Sequence, residues 1–225
     1  MAELRGDDAR HLARVLRAAP GQQYEISDNH SAWLAEIAEA RPGRVVFRVL
    51  EPLAAPAIPL EITVCASLIQ FVHFEWMIGK ATELGAARIV PVEAARSEKG
   101  LFEASRKRTG RWERIAREAS QQCRRVHAPE ILPAVRFVGV LGTAAEHRYF
   151  LEEGDAPPLF RALPAERPMG ASAGILVGPE GGWTSAEREL AASAGWQPVS
   201  LSPLILRAET AAAAALALLI GAWMG

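Results

Sequence analysis

The strongest constraint on the fold is an alternation of short apolar runs with helical segments that begins near Pro59. Apolar runs rich in Val, Ile and Leu predict strands, and the stretches between them have helical periodicity. One such helix, residues 71–85, ends at a glycine and has an apolar face formed by Phe71, Phe74, Ile78 and Ala81. Alternating strands and helices predict an α/β fold with a mainly parallel sheet, whose ligands bind at the carboxyl ends of the strands.

The first 57 residues have a different pattern. After a helix-like segment, residues 7–17, come short runs broken by Pro, Gly and Asn, which is typical of small β structure. A proline-rich stretch at residues 51–59 predicts a linker. We therefore expect two domains, residues 1–57 and residues 58–225.

The composition excludes several classes of protein. Half of the residues are hydrophobic, which excludes a disordered chain, and the two cysteines are too few for a disulfide scaffold, which favours a reducing, cytoplasmic location. The histidines lack zinc-ligand spacing, so we expect no metal. The uncharged C-terminal stretch, residues 210–225, is shorter than a membrane span and predicts a buried helix, so we expect no membrane partner.

The net charge of −1 hides an uneven distribution of charge. Residues 96–136 hold eleven basic and five acidic side chains, a local charge of +6, and most of the basic residues are arginine. The segment 104–125 predicts one Arg-rich helix. Arginine suits phosphate groups, so this stretch fits an RNA-binding surface, but a merely solvated helix face has the same pattern.

The loop at residues 178–182, with the sequence GPEGG, follows an apolar strand directly. Thr184 and Glu187 then predict a helix that opens with a capping box. Glycines let the backbone approach a ligand and point its N–H groups at it. The pattern is neither a dinucleotide nor a triphosphate fingerprint, and an ordinary tight turn would also suit it.

A second candidate segment, residues 201–214, leads into the last helix, which Arg207 and Glu209 open. Arg207 and Glu209 stand alone beside a long apolar run, so they are expected to be paired, exposed to solvent or functional. A simple ion pair at the helix start explains them equally well, because Glu209 is favoured at the N-terminal end of a helix.

Considered together, the two loops resemble the RsmE-type ribosomal RNA methyltransferases of the SPOUT superfamily, whose signature is GPEGG followed by LxxxILRxETA. Three further segments agree in order, with HLxxVLR at residues 11–17, KxxELG at residues 80–85 and QxxR at residues 122–125. The resemblance covers nearly the whole chain.

This resemblance implies a small PUA-like β-barrel domain and a SPOUT domain with a C-terminal trefoil knot. It also implies a homodimer that uses S-adenosylmethionine to methylate N3 of a uridine in 16S rRNA of the small ribosomal subunit. The implied catalytic residues are Arg207, Glu209 and Thr210. The implied cofactor residues are Leu151, Glu152, Leu176, Gly178, Glu180, Gly181, Gly182, Leu201, Ser202 and Leu206. The implied RNA-binding residues are Arg14, Arg17, Arg96, Arg124 and Arg125, and Trp33 and Trp112 are candidates to stack on bases.

The chain departs from the family pattern at several positions. The strand that opens the small domain has no recognisable counterpart, so we expect that domain to be shortened. Ser202 replaces a glycine of the cofactor loop, where a side chain would crowd the cofactor if the backbone had a positive φ. Two alternatives stay open: a non-catalytic SPOUT-like RNA-binding or ribosome assembly factor, and a SPOUT methyltransferase that acts on another RNA base.

Overall fold

The structure is a computed structural model that describes residues 1–154 and 156–225. Its contacts divide the chain into two compact units. The first unit contains Met1–Pro56 and also Arg125–His127, and the second contains Ala57–Arg124 and Ala128–Gly225. The sequence gives no sign that residues from the middle of the chain belong to the first unit.

The first unit is a four-stranded antiparallel sheet with one helix, and its strand order is β1-β4-β3-β2. Its elements are β1 (Ala2–Arg5), α1 (Gly6–Arg14), β2 (Gln23–Ser27), β3 (Ala32–Arg41) and β4 (Arg44–Leu53). Its core is small and contains Ala9, Ala35, Ile37, Val45 and Phe47.

The expected loss of the opening strand is wrong. β1 pairs antiparallel with β4, from Ala2 opposite Phe47 to Arg5 opposite Arg44. The sequence AELR is too short and too polar to predict a strand by itself. Its extended form comes from hydrogen bonding to the edge of β4, which is a tertiary effect.

Two contacts attach the segment Arg125–His127 within the first unit. The Ser27 hydroxyl donates a hydrogen bond to the carbonyl of Val126 at 3.3 Å. His127 Nδ1 donates to the carbonyl of Asn29 at 2.7 Å. These contacts join the loop after β2 to a segment about a hundred residues later in the chain, a separation of 99 residues for the first pair.

The second unit contains a seven-stranded sheet in the order β11-β9-β10-β5-β6-β7, with β8 also beside β6, and every paired strand is parallel. Its first elements are β5 (Leu60–Ser67), α2 (Phe71–Glu83), β6 (Ala86–Glu93), α3 (Leu101–Ser105), α4 (Thr109–Gln122), β7 (Glu130–Ile131) and β8 (Val135–Arg136). The later elements are α5 (Phe137–Val140), β9 (His147–Leu151), α6 (Leu159–Ala162), β10 (Ala171–Val177), α7 (Ser185–Ser193), β11 (Gln197–Val199) and α8 (Ala208–Met224). The predicted parallel α/β architecture is therefore confirmed.

The Arg-rich helix predicted over residues 104–125 is shorter in the structure: α4 covers Thr109–Gln122, and residues 104–105 instead end the separate helix α3. The backbone between them makes tight i to i+3 hydrogen bonds, from the N–H of Arg108 to the carbonyl of Ser105 at 2.8 Å. The Ser105 hydroxyl donates to the carbonyl of Phe102 at 2.6 Å, which is the local competition by which serine weakens helices. Trp112 on α4 is only 1% exposed and packs against Phe74, so it does not stack on RNA bases.

Candidate active site

A cavity of about 220 Å³ lies beyond the carboxyl ends of β9, β10 and β11. Three loop segments and the start of α8 line it: residues 151–153 at the end of β9, the glycine loop (residues 178–183) after β10, the apolar loop (residues 201–207) after β11, and Ala208 and Ala211 of α8. The two signature loops of the sequence, which are separated along the chain, therefore meet at one cavity. This is the edge at which parallel sheets place their ligands.

The glycine loop is closed by the indole of Trp183. This residue is 2% exposed, and its Nε1 donates to the carbonyl of Leu151 at 3.0 Å. A Cβ on Gly178 would lie 3.0 Å from that Nε1, so a side chain there would press on the buried indole. The predicted capping box is confirmed, because the Thr184 hydroxyl accepts from the N–H of Glu187 and the Glu187 carboxylate accepts from the N–H of Thr184.

The apolar loop packs Leu201 against the core and has a hydrogen bond of its own at Ser202. The Ser202 hydroxyl accepts a hydrogen bond from the N–H of Leu204 at 3.0 Å. Ser202 does not have a positive φ, so its side chain does not strain the backbone there. Leu204 and Ile205 are 75% and 77% exposed although they lie at the cavity.

Arg207 lies at the rim of the cavity, immediately before α8. Its carbonyl accepts the first hydrogen bond of the helix, from the N–H of Ala211 at 2.8 Å, while its side chain is exposed. Glu209 is 8% exposed and instead faces α2, where His73 Nδ1 lies 3.3 Å from its carboxylate. Thr210 is exposed and does not line the cavity.

Glu152 gives the cavity an acidic wall. Arg188 of α7 donates two hydrogen bonds to this carboxylate, from Nε at 2.5 Å and from Nη2 at 2.9 Å. These bonds hold the pKa of Glu152 below the usual value for a glutamate. The carboxylate is therefore ionised at neutral pH and can accept hydrogen bonds from a ligand.

Most of the residues implied as cofactor ligands line the cavity, whereas two do not. Those that line it are Leu151, Glu152, Gly178, Glu180, Gly182, Leu201, Ser202 and Leu206. Leu176 is fully buried in the core, and Gly181 turns toward Arg96. Sequence reasoning missed Trp183 and Arg188. The first directly follows GPEGG and could have been included, but no pattern in the sequence indicates that Arg188 reaches Glu152.

The residues implied as RNA ligands are distributed over both units. Arg14 ends α1, and Arg17 follows it with a left-handed φ of 52°. Arg124 has a φ of 57° and belongs to the second unit, while Arg125 belongs to the first. Arg96 is exposed, but its guanidinium contacts the glycine loop.

Other chemistries receive no support from the described residues. Burial raises the pKa of the Cys65 thiol to about 11, and neither cysteine lines the cavity, so no thiolate is placed for nucleophilic attack. Over residues 1–154 and 156–225 there is no cluster of side chains suited to a metal ion. In the same ranges, every helix is too short or too polar to span a bilayer.

The fold and the cavity agree with the families that match the chain. Residues 56–220 match the RNA methyltransferase domain, and residues 4–50 match the RNA methyltransferase PUA domain. The chain therefore belongs to this family of RNA methyltransferases. Ribosomal RNA small subunit methyltransferase E of Bacillus subtilis is 30% identical over 92% of this chain and 84% of its own length. The protein of the same name from Synechocystis is 31% identical over 92% of this chain and 68% of its own length.

Solved structures give the same result. Ribosomal RNA small subunit methyltransferase E from Neisseria gonorrhoeae, bound to S-adenosyl methionine, is 30% identical and superposes with a TM-score of 0.89 over 99% of this chain and 92% of that one. A methyltransferase from Legionella pneumophila in complex with the same cofactor is 28% identical, with a TM-score of 0.88 over 98% and 91%. The resemblance to the RsmE type and the predicted combination of a PUA-like domain with a SPOUT domain are confirmed.

Proposed function

We propose that this protein transfers the methyl group of S-adenosylmethionine to N3 of a uridine in 16S rRNA of the small ribosomal subunit. The observation that carries the proposal is the meeting of the glycine loop and the apolar loop at one cavity, with Arg207 at its rim. The relatives named above supply the class of reaction and of RNA. A non-catalytic assembly factor is not favoured, because the relatives over most of the chain are named as methyltransferases and one of them is bound to S-adenosyl methionine.

The lining of the cavity fits the cofactor. Leu151, Val177, Leu201 and Leu206 offer apolar contacts for a flat base, and the backbone groups of the glycine loop can bind its polar edge. The ionised Glu152 suits hydroxyl groups or a positive charge. When bound, the cofactor supplies an electrophilic methyl group, so the protein has mainly to position the acceptor nitrogen in line with it.

Arg207 is assigned to the uridine. Loss of the N3 proton leaves a negative charge on the uracil ring, and a nearby guanidinium stabilises such a charge. Arg207 lies at the N-terminus of α8, whose partial positive charge also stabilises this anion. Glu209 and Thr210 support the first turn of α8 in this proposal, and the contact of Glu209 with His73 fits that role.

The substrate RNA and a second protein copy complete the proposal. Arg14, Arg17, Arg124 and Arg125 are assigned to RNA phosphates, which set affinity and make it dependent on salt.

A second copy of this chain would cover Leu204 and Ile205, whose exposure is otherwise costly in water. The proposed location is the cytoplasm, and sedimentation at several concentrations tests the homodimer.

The test of the function is methyl transfer to small ribosomal subunits from a strain that lacks its own enzyme. Arg207→Ala should lower the rate roughly 10²–10³-fold, the usual loss when one group that stabilises a developing anion is removed. Cofactor affinity and the melting temperature should stay near those of the unmutated protein. Arg161→Ala, at an exposed arginine of α6, is the matched control.

The product decides between the alternatives. Mass spectrometry of the digested RNA should show 3-methyluridine, and a different methylated nucleoside would overturn the assignment of the base. Failure of the unmutated protein to bind S-adenosylmethionine would favour the non-catalytic factor. Parallel reactions on naked rRNA and on intact subunits identify the form of RNA that the enzyme accepts.

A further inference from the structure

Arg96 contacts the glycine loop from outside the cavity. It lies in the segment after β6, 85 residues before Gly181 in the chain. Its Nη1 donates to the carbonyl of Gly181 at 2.7 Å and also approaches the carbonyl of Trp183 at 3.4 Å. A charged donor to a carbonyl gives a stronger hydrogen bond than a neutral one. One guanidinium therefore joins the middle of the glycine loop to its end.

The close approach of Arg96 explains the glycine at position 181. A Cβ on Gly181 would lie 3.2 Å from the Cβ of Arg96 and 3.4 Å from its Cδ. The aliphatic part of the arginine thus lies against the backbone of Gly181, and a side chain at 181 would require Arg96 to shift by a few tenths of an ångström. Gly181 does not line the cavity, so its contact with Arg96 gives this glycine a role apart from direct contact with the cofactor.

The backbone that carries Arg96 is itself fixed. The N–H of Ala95 donates to Oε1 of Glu187 at 2.8 Å, and Glu187 is only 5% exposed. The other carboxylate oxygen of Glu187 accepts from the N–H of Thr184. Ser97 closes a turn with Ala94 through two hydrogen bonds. The turn that carries Arg96 is thus held by its own hydrogen bonds, and the exposed Arg96 side chain is bonded to the glycine loop.

We propose that Arg96 is a positioning residue for the cofactor: it holds the glycine loop in the conformation that binds S-adenosylmethionine. This inference rests on the proposed function, since it assigns a cause to the affinity of the same site. It differs from the expectation that Arg96 binds an RNA phosphate, because its effect is present without RNA. The carbonyls of Gly181 and Trp183 are fixed before any ligand arrives, which lowers the entropic cost of binding.

The test is calorimetric titration of the full-length protein with S-adenosylmethionine in the absence of RNA. Arg96→Ala should weaken cofactor binding by about tenfold or more, the equivalent of one hydrogen bond from a charged donor. Arg96→Lys keeps the charge and one donor, so it should recover part of the affinity. Arg114→Ala, which removes an exposed arginine of α4 from the same basic stretch, should leave cofactor affinity unchanged.

Kinetics and melting separate positioning from a structural role. With saturating RNA, Arg96→Ala should raise the KM for the cofactor and leave kcat near that of the unmutated enzyme. A large fall in the melting temperature of the cofactor-free protein would instead make Arg96 a general structural residue and overturn the proposal. Equal cofactor affinity in Arg96→Ala and the unmutated protein would also overturn it, leaving RNA contact as the expected role. If the unmutated protein binds no cofactor, the proposed function itself fails.

Discussion

The two loops that line the cavity differ in how they are held. The glycine loop is hydrogen-bonded to three different segments: Trp183 Nε1 donates to the carbonyl of Leu151, Arg96 donates to the carbonyl of Gly181, and Arg188 Nη1 donates to the carbonyl of Trp183 at 2.8 Å. The apolar loop has an internal bond at Ser202 and presents two large apolar side chains to solvent. One wall of the site is fixed by the chain itself, and the other presents surface that a ligand or partner can cover.

Because of this difference, the two loops should contribute differently to ligand binding. A loop fixed before binding pays little conformational entropy when the ligand arrives, so the glycine loop should determine the intrinsic affinity for the cofactor. Exposed apolar side chains gain free energy only when something covers them. The apolar loop should therefore respond to the cofactor and to the proposed second copy of the chain. Substitutions in the two loops should affect different measurements.

The largest effect is expected at Trp183, a buried residue of the glycine loop. Its ring stacks on Phe150 at a centroid distance of 4.8 Å and lies 5.3 Å from Phe137. Trp183→Ala should cost about 3–5 kcal/mol in the free energy of unfolding, because it leaves a cavity. Trp183→Phe keeps most of the ring and loses the bond to Leu151, at about 1 kcal/mol. Urea unfolding measures both, and a small loss in the alanine variant would show that the loop is less rigid than its contacts indicate.

A smaller, pH-dependent effect is expected from the pair of Glu152 and Arg188. The folded-state pKa of Glu152 is below its unfolded value of 4.5, chiefly because Arg188 donates hydrogen bonds to it. The stabilisation is therefore present above pH 4.5 and is lost as the pH falls through the lower folded-state pKa. Since Arg188 is 45% exposed, Arg188→Met should cost under about 1 kcal/mol at neutral pH, as partly exposed ion pairs do.

Unfolding free energies at pH 7 and at pH 3 would test this pair. The difference between the Arg188→Met variant and the unmutated protein should shrink as the pH falls. Arg114→Met, at an exposed arginine of α4, is the control and should give the same small difference at both values. A constant difference for Arg188→Met would mean that packing, and not the charge of Glu152, accounts for the contribution.

The parts of the fold and of the site that depend on local sequence could be predicted. The parallel sheet, the apolar face of α2 and the capping box at Thr184 follow from local patterns of spacing, and each is confirmed. The GPEGG motif placed the glycine loop correctly after a strand, because glycine and proline restrict local backbone conformation. These features depend on the local sequence alone, so the sequence is sufficient to predict them.

The contacts that fix the site could not be predicted in the same way. Arg96 and Gly181 are 85 residues apart, and Glu152 and Arg188 are 36 apart. An arginine has many carbonyls and carboxylates within reach in a folded protein, and only the tertiary structure selects among them. The strand β1 shows the same limit for the backbone. Its sequence, AELR, does not predict a strand, and it is extended because it pairs with β4, about forty residues later.

The smallest effect on stability is expected in the apolar loop. Leu204 and Ile205 are already exposed in the single chain, so Leu204→Ser with Ile205→Ser should change the unfolding free energy by less than about 0.5 kcal/mol. The same double variant should weaken the proposed dimer and reduce the rise in melting temperature that saturating cofactor produces, because the apolar surface to be covered is lost. Leu190→Ser, at a 45% exposed leucine of α7 that does not line the cavity, is the matched control. The double variant could instead keep both the dimer and the full rise in melting temperature with cofactor. In that case neither the dimer nor the cofactor covers Leu204 and Ile205, and the two loops differ only in how exposed they are.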